Sequence, residues 1–313
     1  MHMNDALVSP AVAVTGGIIA TTLIVLASRK LKNLNNNGIV PLMGVMGAFV
    51  FAAQMINFTI PGTGSSGHLI GGILLSAVLG PWAAFISLCS VIIVQCLVFA
   101  DGGLLALGCN IVNMAATSCL IGYPLCYRPI AGSSLKPWRI VIASVVASIV
   151  ALEIGAFGVT LETEFSGITS LPFVKFLRFM LPIHFVIGLI EGLATSAVLV
   201  FMAKYQPSVF NLDKSAKENS KLQPAFLMLG VLTVLFAVGF TWMASDYPDG
   251  LEWSIEKASS MFAFSSAKPA TAIMPDYDSS IAGIVGSVIV MVMIWAITNI
   301  IFSRLSKSKQ SGI

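Results

Sequence analysis

The chain is a succession of apolar runs, most of them about as long as a bilayer is thick, separated by short polar segments. Hydrophobic residues fill 57% of the 313 positions and charged residues 10%, against roughly a quarter charged in an ordinary soluble domain. Such a chain needs lipid as its solvent. A lipid-facing backbone has to satisfy its own hydrogen bonds, and these runs lack the two-residue alternation of barrel strands, so helices are expected. At about 20 apolar residues per crossing, the expected spans are 10–28, 38–60, 68–80, 83–100, 104–127, 139–160, 182–204, 224–244 and 280–302. The expected fold class is an all-α integral membrane protein with about nine transmembrane helices. A seven-helix domain covers 1–205, a cytoplasmic linker 206–223, and a two-helix module 224–313 whose helices enclose a long outside loop at 245–280.

Basic residues flanking membrane spans are retained in the cytoplasm. Arg29, Lys30 and Lys32 directly follow the first span, which puts the N-terminus outside. Alternation through nine spans then leaves 13 basic residues inside and four outside: Lys175, Arg178, Lys257 and Lys268. The C-terminus falls in the cytoplasm. A cleavable signal carries its positive charge before the apolar run; here the order is reversed, so the first helix is expected to be retained and the mature chain to begin at Met1. The net charge of +3 is an ordinary inside excess and gives no reason to expect nucleic acid. The five cysteines, Cys89, Cys96, Cys109, Cys119 and Cys126, all lie in apolar runs and read as buried packing residues.

The third span is too short. From His68 to Gly80 there are 13 residues, about 20 Å of helix at 1.5 Å per residue, less than the hydrocarbon thickness. It follows Pro61-Gly62-Thr63-Gly64-Ser65-Ser66-Gly67, a run unsuited to regular helix. Irregular backbone at membrane depth is tolerated where protein buries it or where it lines a cavity, and in transporters such a segment points to the substrate site.

Met1-His2 offers three nitrogens close together: the terminal amine, the His2 backbone nitrogen and His2 Nδ1. Together they can form fused five- and six-membered chelate rings. A deprotonated amide is a strong in-plane donor, so the set favours square-planar Ni(II) or Cu(II) over tetrahedral zinc, and binding releases protons. Two further histidines are available for a fourth position. His68 is favoured by its glycine-rich approach; His184 is the alternative, and with Glu191 seven residues on it reads equally as a packing or partner-contact pair. Gln95, Asn110 and Asn113 are amides inside apolar helices, candidates to accept the second N–H of a ligating histidine or to bond between helices. Thr63 joins them as a candidate supporting residue.

The N-terminal Met1-His2-Met3 and Ser9-Pro10 resemble the start of the nickel/cobalt substrate-specific subunits of energy-coupling-factor transporters, the NikM/CbiM family. The stretch from Ile60-Pro61-Gly62-Thr63 through Ser66-Gly67-His68, Leu79-Gly80-Pro81-Trp82, Gln95 and Asp101-Gly102-Gly103 to Gly108-Cys109-Asn110 and Asn113 is similar to the family's most specific block, and His184 with Glu191-Gly192 to a later motif. Pro248-Asp249-Gly250-Leu251-Glu252 resembles the small accessory (NikN-like) subunit, here fused. The resemblance covers about the first 205 residues and the fused segment. It implies a plasma-membrane capture component of an ABC importer, with Ni(II) or Co(II) as transported substrate held by the Met1 amine, the His2 amide and imidazole, and His68. It also implies a transmembrane coupling protein and two cytoplasmic ATPase subunits as partners, and the chain itself has no Gly-x-x-x-x-Gly-Lys-Ser/Thr loop. Nickel is preferred to cobalt, which would feed cobalamin synthesis. Residues 3–8 depart from the usual family wording, leaving the packing of the terminus open.

Two other classes compete. An intramembrane metal hydrolase using His68, His184 and Glu191 is disfavoured because no His-Glu-x-x-His helix is present. A scaffold without ligand predicts no stoichiometric metal.

Overall fold

Pro10 has the fixed φ and missing N–H that suit a first helical position, and the first helix, α1, runs Pro10–Lys32 with Arg29, Lys30 and Lys32 in its last turn. The computed structural model describes residues 1–32, 39–132, 135–210, 223–239, 244–259, 273–274 and 280–310. The second apolar run gives only α2 (Ile39–Gln54), and the expectation of helix to residue 60 is corrected. The chain turns at Pro61–Gly64 instead, pairing β1 (Phe58–Ile60) antiparallel with β2 (Ser65–Gly67). A proline and two glycines with φ near +75° favour that hairpin over a continued helix. After Gly71, the short α3 (Gly72–Leu79) and α4 (Pro81–Phe99) follow.

The next helix, α5 (Leu107–Ala131), is wound loosely over Ile111–Tyr127 around the internal Pro124. Then come α6 (Pro137–Ser166) and α7 (Phe173–Tyr205). The latter begins at Phe173 rather than at the expected 182, because Pro182 is accommodated inside it; neighbouring helices make such prolines tolerable in membranes. The C-terminal part contributes α8 (Pro224–Gly239), α9 (Gly250–Ala258) and α10 (Ser280–Gln310). Among the described residues six helices are long and apolar enough to cross a bilayer: α1, α4, α5, α6, α7 and α10. Most of the expected linker (211–222) and much of the 245–280 loop, with Lys214, Lys217, Lys221 and Lys268, lie outside the described residues.

Small residues set the helix spacing. Gly188 and Gly192 on α7 meet the backbone of Ile149 and Val145 on α6, where any Cβ would collide, as expected where helices in lipid associate by close backbone approach. This turns His184 and Glu191, both buried, toward the bundle interior. In the C-terminal part, α10 lies on α2, with Gly286 against the Phe51 ring and Ser287 donating to the Ala48 carbonyl.

One end of the bundle gathers segments far apart in sequence. Ser9 N–H donates to Ser166 Oγ at 3.0 Å, Gly103 N–H to the Met3 carbonyl at 2.8 Å, and Ser66 N–H to the Pro248 carbonyl at 2.8 Å.

Candidate metal centre

The N-terminus enters the protein instead of trailing from it: Met1 is 4% exposed and Met3 fully buried. Its path is fixed residue by residue. Asn110 on α5 grips the Met3 peptide from both sides, Oδ1 accepting the Met3 N–H at 2.8 Å and Nδ2 donating to the Met3 carbonyl at 3.1 Å. Asp5 Oδ1 accepts the N–H groups of Leu105 and Ala106 at 2.8 and 3.2 Å, tying the segment to the start of α5. Gly103 makes room for this contact, since a Cβ there would overlap Asp5.

His68 is held equally firmly. Two residues on, the Ile70 N–H donates to Glu191 Oε2 and the Gly71 N–H to Glu191 Oε1, both at 3.0 Å. The Ile70 carbonyl accepts from Gln54 Nε2 at 2.7 Å, and Gln54 Oε1 from Gln95 Nε2 at 2.6 Å. Gly71 takes φ +76° to turn the chain from this clamp into α3. Glu191 is therefore an anchor of the His68 loop.

These supports bring the two ends together. The Met1 amine lies 3.2 Å from His68 Nε2. The other ring nitrogen, Nδ1, is 3.2 Å from the Leu69 carbonyl; a carbonyl only accepts, so Nδ1 carries the proton and Nε2 presents its lone pair to the amine. The His2 ring stacks on His68 with centroids 5.2 Å apart, its Nδ1 3.3 Å from Asp101 Oδ1. Burial, then the charge of the amine, pushes His2 down to about 3 and His68 down to about 4, so both are neutral at pH 7. Gln95 is close enough to hydrogen-bond His2.

The remaining sequence candidates fall elsewhere. Asn110 and Asn113 were candidates either to support a histidine ring or to bond between helices; Asn110 clamps Met3, and Asn113 bonds Glu162 on α6 and approaches the Met3 sulfur. The Thr63 hydroxyl is engaged inside the hairpin, donating to the Ile60 carbonyl and accepting from Ser65 N–H. His184 donates from Nδ1 to the Met180 carbonyl at 2.7 Å, while its buried Nε2 has no hydrogen-bond partner among the described residues. The ring lines a cavity of about 10 Å³ together with Met1, His68, Ile70, Ile187 and Asp249, room for about one water.

Sequence reasoning missed Asp249. It lies in the Pro248-Asp249-Gly250-Leu251-Glu252 segment, caps α9 through the Glu252 N–H at 2.8 Å, and places Oδ2 2.7 Å from the Met1 amine. Burial opposes its ionisation, but the charge of the amine, its hydrogen bond and that of the Glu252 N–H together hold the carboxyl well below the usual range. Its sequence signal was local only: an Asp at a helix start with Glu three residues later, which reads as a cap.

Residues 2–209 match the family model described as the cobalt uptake substrate-specific transmembrane region, and residues 223–303 the PDGLE domain. An Archaeoglobus fulgidus protein named as a fused nickel transport protein is 32% identical over 314 residues, spanning 95% of this chain and 98% of its own length. A Haloquadratum walsbyi protein named for metal transport is 34% identical over 72% of this chain and 98% of its own. A crystal structure of a transition metal transporter superposes with TM-score 0.59 at 28% identity, covering 69% of this chain and 98% of that one.

Proposed function

The chain belongs to the cobalt uptake substrate-specific transmembrane family, and from that premise we propose that it captures Ni(II) at the extracytoplasmic face in a square-planar set of four nitrogens. The donors are the Met1 amine, the His2 backbone nitrogen, His2 Nδ1 and His68. The observation that carries this reading is the 3.2 Å approach of the Met1 amine to an unprotonated His68 nitrogen, with the His2 ring stacked alongside.

In this reading a cation replaces the protons that now fill the site. The ammonium loses one proton and the His2 amide another, and the His2 ring turns Nδ1 away from Asp101 toward the ion. A deprotonated amide in the plane favours d⁸ Ni(II), and the fused nickel transport relative of the same overall length supports nickel. Cobalt is the second reading, favoured by the description of the family model.

The capture domain occupies 1–205 and the accessory module 224–313, with an outside N-terminus and nine crossings of the cell membrane. Support comes from the segments meeting at Met1: the hairpin, the 101–106 loop, the end of α6 and the start of α9 share one end, which needs an even number of crossings between each. Partners are a transmembrane coupling protein and two cytoplasmic ATPase subunits. The test is metal analysis and absorption spectroscopy of purified protein with its native N-terminus: equimolar nickel with a weak yellow band of planar, diamagnetic Ni(II) is expected. A paramagnetic octahedral spectrum, or protein without metal after nickel loading, refutes it.

A further inference from the structure

We propose that Asp249 is the counter-charge of the captured cation, supplied by the C-terminal module to a site whose nitrogen donors all come from the N-terminal domain. The inference rests on the four-nitrogen reading above and gives the fused module a task within it.

Asp249 is built into place. Its Oδ1 accepts the Glu252 N–H at 2.8 Å and its Oδ2 faces the Met1 amine at 2.7 Å, so the side chain is fixed at both oxygens. The chain around it lies along the hairpin that leads to His68. Ser66 donates from its N–H to the Pro248 carbonyl and from Oγ to the Tyr247 carbonyl, each at 2.8 Å, and Trp253 Nε1 donates to the Thr63 carbonyl at 3.0 Å. Gly250 permits the close fit, since a Cβ there would come within 2.8 Å of Ile187 and 3.2 Å of His184.

Charge accounting gives the carboxylate its role. Before a cation enters, the ammonium and Asp249 form an ion pair at 2.7 Å. When a divalent cation enters, the amine and the His2 amide each release a proton to solvent. Two positive charges then stand against one amide anion, a net +1 among the metal and its ligands. Burying an uncompensated charge is costly; Asp249, whose Oδ2 already faces the amine at 2.7 Å, supplies a negative charge beside a ligand atom. Two other acids are near. Asp101 lies 3.3 Å from His2 Nδ1, with its side chain 27% exposed against 20% for Asp249; what distinguishes Asp249 is its 2.7 Å contact with the Met1 amine. Burial, then the charge of Asp249, pushes Glu252 up to about 7, so it carries less than a full charge at neutral pH.

The test is a competition titration of nickel sulfate into the full chain with native N-terminus. Asp249→Asn keeps a side-chain oxygen for the helix cap and the same shape. It is expected to bind nickel about 100-fold more weakly, the order of loss seen when one partner of a buried charge pair is removed. Asp249→Ala is expected to lose affinity as well and to regain it with sodium formate but not with formamide, because only formate restores the charge. Binding by Asp249→Asn as tight as the parent's overturns the proposal, as does a loss in Asp249→Ala on which formate and formamide act alike. A parent protein that takes up no nickel, or a His68→Ala variant that binds like the parent, instead overturns the four-nitrogen reading itself.

Discussion

Replacing Asn110 with alanine tests whether nickel affinity depends on docking of the N-terminal segment. The side chain makes two buried hydrogen bonds to the Met3 peptide, at 2.8 and 3.1 Å. Alanine orphans the Met3 N–H, at about 1–3 kcal/mol, and removes a bond to the Met3 carbonyl worth about 1 kcal/mol. That carbonyl still accepts the Gly103 N–H at 2.8 Å, so it is not left bare. The sum, about 2–4 kcal/mol, falls on the docked state alone, because an undocked Met3 is hydrated. At 1.4 kcal/mol per tenfold this is a factor of about 30–700 in the docking equilibrium. Apparent affinity falls with the docked fraction, and the lower figure is expected because Asp5 and Ser9 still hold the segment. Nickel competition titrations on parent, Asn110→Ala and Asn110→Asp measure it. The aspartate retains an acceptor for the Met3 N–H and should recover part of the loss. Parental affinity in a folded Asn110→Ala would show that metal capture does not depend on this clamp.

Residues added before Met1 turn the amine into an amide and should abolish tight nickel binding, measured on a tagged protein before and after tag removal; equal affinities would exclude the amine as a ligand. His2→Ala and His68→Ala should each remove binding while His184→Ala leaves it measurable, since the described His184 hydrogen bond is to the Met180 carbonyl; equal loss in all three would put His184 among the ligands. Docking should also weaken in acid. His2 is pushed down to about 3 in place but returns to about 6.5 in a free tail, so the docked form binds fewer protons and its advantage, full above about pH 6.5, is lost as pH falls from there toward about 3. Labelling of the Met1 amine by an acid-tolerant reagent, scaled to a model peptide, should rise across that window; a flat profile would count against the buried, neutral His2.

Much was decided by one-dimensional order. Apolar run length called for lipid-crossing helices, the Pro61–Gly67 run called for irregular backbone before a short helix, and Met1-His2 with His68 supplied a nitrogen-rich set, because chelate rings and turn propensities depend on neighbours in the chain. Other features depend on what folding brings alongside. Asp249 stands 248 residues from the amine it touches, and a helix cap looks the same whether or not it faces a charge. Glu191 and Asn110 are polar residues in apolar helices whose partners, the Ile70–Gly71 N–H groups and the Met3 peptide, became identifiable only once the helices were packed. Buried hydrogen bonds and ion pairs are set by separation in space, which hydropathy along the chain does not encode; hence the sequence could single out Met1, His2 and His68, while tertiary structure alone decided what holds them and which carboxylate lies beside them.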